Sequence, residues 1–64
     1  MERAVQQVTD ERGHTLRVTW RPTAEIGVLS VWHGDECVGT VSLDAEGMRS
    51  LASALCGVLA GATT

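Results

Sequence analysis

The sequence predicts an α+β domain, a three- to four-stranded antiparallel β-meander followed by one C-terminal α-helix. Three observations carry this reading. Residues His14 to Arg21 alternate strictly between apolar and polar, as a strand with one wet face does. The run His33-Gly34-Asp35-Glu36 puts glycine at the first central position of a two-residue hairpin, the requirement of a type II′ turn. After Asp44, Met48, Leu51, Leu55, Val58 and Ala62 recur at three-four spacing, the stripe of an amphipathic helix.

Taken in order, residues 3 to 9 form a weak edge strand, since Val5 and Val8 fit neither clean alternation nor a long helix. Asp10-Glu11-Arg12-Gly13 supplies a polar turn with a glycine free to adopt positive φ. The strand His14 to Arg21 sets Leu16, Val18 and Trp20 against Thr15, Arg17, Thr19 and Arg21, and Pro22-Thr23-Ala24-Glu25 ends it. Residues 26 to 32, IGVLSVW, read as a central strand covered on both faces, and Cys37 to Leu43 returns as the last strand.

With Gly34-Asp35 as the loop, continuous pairing opposes Trp32 to Cys37, Ser30 to Gly39, Val28 to Val41 and Ile26 to Leu43 on a core face. Val31 with Val38 and Leu29 with Thr40 lie on the other. A three-residue loop before Ile26 adds Leu16, Val18 and Trp20 to the first face, and a one-residue slip moves them to the second. Asp44 is placed to N-cap a helix from about Ala45 to Gly61, with Glu46 in its first turn and the apolar stripe lying on the sheet.

Length and charge bound the function. A chain of 64 residues allows one domain, 1–64, and a domain of this size buries only about 60% of the surface its unfolded chain exposes. Such scaffolds normally recruit a disulfide, a metal or a partner chain. Two cysteines and no secretory leader point to a reducing cytoplasm, and no stretch approaches the roughly 20 apolar residues that span a bilayer. The net charge is −3, and beyond residue 25 Arg49 stands alone against Asp35, Glu36, Asp44 and Glu46. That sign does not suit a dedicated nucleic-acid binder, which needs a concentrated basic surface.

The helix face opposite the stripe holds Arg49, Ser50, Ser53, Ala54, Gly57, Ala60 and Gly61, only one of them charged. Interior glycine costs about 1 kcal/mol relative to alanine, so Gly57 calls for compensation. Ser53, Gly57 and Gly61 are four apart, a groove where a second backbone can approach. A homodimer is therefore expected, built on Arg49, Ser53, Gly57, Ala60 and Gly61, on the outer sheet residues Leu29, Val31 and Val38, or on both.

Other chemistry is thin. His14, His33, Cys37 and Cys56 have metal-ligand potential, and strand order gathers the first three at one end of the sheet with Cys56 level with residues 38 to 39. No CxxC or HxxxH pair anchors a site, so neither metal nor cofactor is expected. No nucleophile elbow or phosphate loop appears, and turn solvation and helix capping account for Asp35, Glu36, Asp44 and Glu46, so no enzymatic activity is expected. The alternative is a single-strand nucleic-acid surface in which Trp20 and Trp32 stack bases beside Arg17 and Arg21.

The segments LRVTW, VLSVWHGDECVGTVSL and DAEGM within Leu16 to Ala60 resemble small proteins of actinobacteria whose helix directly follows the last strand. A looser likeness is to the BldB-like small acidic regulators of Streptomyces, which implies a partner of regulatory proteins rather than a direct DNA binder. The ending GTVSLDAEGMRSLASAL also resembles, in outline, transcriptional coactivators that bind single-stranded DNA as dimers, but this chain lacks their basic sheet. The expectation is a homodimeric protein-protein interaction module, a regulatory accessory protein in transcription or development that also engages another regulatory protein and no membrane.

Overall fold

The computed structural model describes residues 4–62. Strands β1 (Ala4–Thr9), β2 (His14–Arg21), β3 (Ile26–His33) and β4 (Glu36–Asp44) form one antiparallel sheet in the order β1-β2-β3-β4, followed by helix α1 (Ala45–Ala62). The α+β meander read from the sequence is the fold, with each boundary among the described residues within one residue of expectation; residue 3, the expected start of the first strand, lies outside them.

Each connection has a local cause. At the first turn Gly13 takes φ +87° and its N–H donates to the Asp10 carbonyl, 3.4 Å, while the Asp10 N–H donates to the His14 carbonyl, 2.8 Å. This is a three-residue hairpin whose last residue lies in the left-handed region, where glycine fits without strain. The Asp10 carboxylate fixes it by accepting from the N–H groups of Arg12, 3.0 Å, and His14, 2.8 Å. At the last hairpin Gly34 has φ +63° and Asp35 does not share the positive sign, as a type II′ turn requires. Asp44 caps α1, its Oδ1 accepting from the Gly47 N–H at 2.7 Å.

The register corrects the expected pairing in β4. Trp32 faces Cys37 as anticipated, but Val31 faces Gly39, so Val38 is an extra residue in a β-bulge. The Cys37 thiol spans it by donating to the Gly39 carbonyl at 3.7 Å. Beyond the bulge Leu29 opposes Val41, Gly27 opposes Leu43 and Ser30 opposes Thr40. Pro22–Glu25 makes a four-residue loop, so Val31, Leu29 and Gly27 also pair with Leu16, Val18 and Trp20. One face therefore collects Leu16, Val18, Trp20, Gly27, Leu29, Val31, Gly39, Val41 and Leu43. The other carries Arg17, Thr19, Arg21, Ile26, Val28, Ser30, Trp32, Cys37, Thr40 and Ser42.

Helix α1 covers the first face only at its base. Gly27, itself buried, receives Met48, and Leu51 is half-buried. From Ala52 to Ala62 every residue is exposed, including Leu55, Val58 and Leu59 at 56%, 70% and 65%. The stripe expected to lie on the sheet does so for Met48 and Leu51 alone; beyond them the helix leaves it. No hydrophobic side chain among the described residues is fully buried.

Candidate interaction surface

The apolar face and the helix base enclose an open trough of about 450 Å³, lined by Leu16, Leu29, Val31, Gly39, Thr40, Val41, Leu43 and Leu51. No charged residue lines it. Two origins combine here: period-two alternation in β2 puts Leu16 inward, and the bulge at Val38 turns Val41 and Leu43 to the same side. Gly39 keeps the floor open, since nothing lies within 4 Å of the position a side chain there would take.

The expected interface residues divide between two surfaces. Leu29 and Val31 line the trough, Leu29 half-buried and Val31 40% exposed. Val38 is exposed on the bulge outside it. Arg49, Ser53, Gly57, Ala60 and Gly61 are exposed along α1, and a Cβ added at Gly57 or Gly61 would have no other element within 4 Å. Sequence reading missed Leu16, Val41 and Leu43 as surface-forming residues because the side of Val41 and Leu43 depends on the bulge and that of Leu16 on the length of the loop before Ile26.

The four residues of the alternative nucleic-acid surface do not share a face. Trp20 pairs with Gly27 on the trough side, whereas Arg17, Arg21 and Trp32 lie on the opposite side. There the Arg17 guanidinium sits over the Trp32 ring, 4.7 Å from its centroid, with Arg17 Nε donating to Gln7 Oε1 at 3.4 Å. Trp32 Nε1 donates to Ser30 Oγ at 2.9 Å. One face of the only indole on that side is thus already stacked by a cation.

His14 and His33, paired across β2 and β3, stack with centroids 4.6 Å apart and rings inclined by 20°. His14 Nδ1 lies 3.8 Å from Asp10 Oδ2 and has no hydrogen-bond partner among the described residues. Cys37 and Cys56 are both free and exposed, Cys56 on the departing part of α1 rather than over β4. Among the described residues no three His, Cys, Asp or Glu side chains gather as a metal ion would require. The Asp10 carboxyl is held below the ordinary carboxylate range, first by the His14 backbone N–H and then by the Arg12 N–H and the nearby His14 and Arg12 side chains, against a desolvation penalty.

No helix among the described residues is long and apolar enough to cross a membrane. No protein-family model matches the chain, and no curated protein or solved structure matches it. What the fold and surface define is a small β-meander with an incompletely covered apolar face and a projecting apolar helix.

Proposed function

We propose that this chain is a homodimeric protein-protein interaction module, acting as a regulatory accessory protein in transcription or development, with a further regulatory protein as its target. The observation that carries the dimer is the total surface one copy leaves in water, together with the exposed apolar side chains on it. A folded monomer of 6.8 kDa exposes about 4,000 Å² by surface scaling, whereas this chain exposes 5087 Å². Its radius of gyration is 13.2 Å against roughly 10.7 Å for a compact domain of the same length. An excess of about 1,000 Å² per copy equals or exceeds the roughly 800 Å² that each partner buries in a standard interface. The resemblance to small acidic regulators supports the accessory role, and the net charge of −3 with a single arginine beyond residue 25 argues against duplex DNA as the target.

Sedimentation equilibrium over a hundredfold range of concentration tests the reading. The expected mass is that of two chains, with a melting temperature that rises with concentration because folding and association are linked. A mass of one chain with a concentration-independent melting temperature overturns it. Binding to single-stranded oligonucleotides that collapses as salt rises would favour the alternative surface instead.

A further inference from the structure

Resting on that dimer, we infer that the projecting half of α1 from each copy seats in the trough of the other, Leu55, Val58 and Leu59 against Leu16, Val31 and Val41. The two copies are then joined by reciprocal exchange of helices rather than by the small-residue helix face.

The parts fit in size. Beyond Leu51 the helix runs to Ala62, about 17 Å at 1.5 Å per residue. The trough runs along β4 from Leu43 to Gly39, about 13 Å at 3.3 Å per residue. The roughly three helical turns beyond Leu51 therefore cover its length. The trough is also a wedge, open between the sheet and Leu51 of its own helix, so an inserted helix would meet apolar groups on two sides.

The lack of charge on both surfaces suits them to each other. From Ala52 to Ala62 the helix carries no charged residue, and none lines the trough. Exposed helix faces ordinarily carry Glu, Lys or Arg, and neither surface here offers a charge by which to recognise a charged partner. Both halves of the contact exist on every chain, so a two-fold axis satisfies them together and leaves no open end. The area left exposed on each copy is the amount such an exchange has to bury.

Two glycines make the test. A Cβ added at Gly39 or at Gly57 has no neighbouring side chain or strand within 4 Å, so each position opens onto free space in a lone subunit. Gly39 lies on the trough floor and Gly57 on the small-residue face of α1. By sedimentation, Gly39→Leu should weaken the dimer by about tenfold or more, as overfilling a packed core does, while Gly57→Leu stays within about threefold of wild type. The reverse order overturns the exchange and assigns the contact to the small-residue face.

A second measurement holds if Gly39→Leu does not fold. A spin label on Cys56 of a Cys37→Ser chain is mixed with an isotope-labelled chain lacking both cysteines. Intermolecular broadening should be strongest at the amides of Val31, Gly39 and Val41. Broadening strongest at Ser53 and Gly57 in a dimeric sample overturns the exchange, and a monomeric sample without broadening overturns the dimer itself. A mass of two chains that appears only after adding a heterologous protein would assign the trough to that protein and also overturn the proposal.

Discussion

The Met48 thioether rests on the α-carbon of Gly27, filling the space a side chain there would need. A carbon added at Gly27 would lie 2.8 Å from Met48 Cγ and Cε, closer than real side chains pack. Gly27 sits mid-sheet between Trp20 and Leu43, so this contact is where α1 is held to β3. Gly27→Ala should lower stability by about 1 to 3 kcal/mol, the usual cost of overpacking. Because Met48 is flexible and its displacement is the damage, Met48→Ala should recover part of the loss in the double variant. A thermodynamic cycle from urea denaturation checks this, additive losses being the contrary result.

Glu25 closes the β2–β3 loop with φ 54°, the one non-glycine residue among those described with positive φ. For an L-residue that conformation costs about 1 to 2 kcal/mol, and glycine escapes it while giving back part through greater freedom when unfolded. Glu25→Gly should therefore stabilise by about 0.5 to 1 kcal/mol, a rise of a few degrees in melting temperature at fixed chain concentration. Glu25→Val should do the opposite. Equal melting points for the two would show that the loop relaxes without strain.

Asp10 makes the first turn sensitive to acid. Its folded carboxyl is depressed, chiefly by the His14 N–H, so the folded state favours the ionised form. The stabilisation is complete above the ordinary carboxylate value of about 3.9 and is lost as pH falls through the lower folded value. Asp10→Asn keeps an oxygen that can accept from both N–H groups but cannot titrate. Thermal melts between pH 2 and pH 6 should show a shallower acid slope for this variant than for wild type. Parallel curves would mean the turn contributes nothing to acid unfolding.

The fold was legible because its signals are local. Alternation from His14 to Arg21, the glycine at position 34 and the cap at Asp44 each act within a few residues, and each lies where expected. The facing of β4 was not legible, because nothing in GDECVGTVSL announces that Val38 is skipped in the ladder. The helix stripe read correctly as apolar and wrongly as covered, since periodicity records what avoids water and not which chain supplies the cover. Trp20 lies away from Arg17 and Arg21 by alternation within β2 alone, which the sequence already carried; only its separation from Trp32 followed from the four-residue loop before Ile26, whose length the sequence left open between two registers.

The bulge gives β4 one residue of slack. A chain shortened by one position at Val38, Gly39 or Thr40 can regularise the ladder and leave Val41 and Leu43 on their present side, with the start of α1 undisturbed. A chain lengthened there has no equivalent reserve and must either deepen the kink or turn the rest of the strand over. In this segment the gene can lose a codon far more safely than it can gain one.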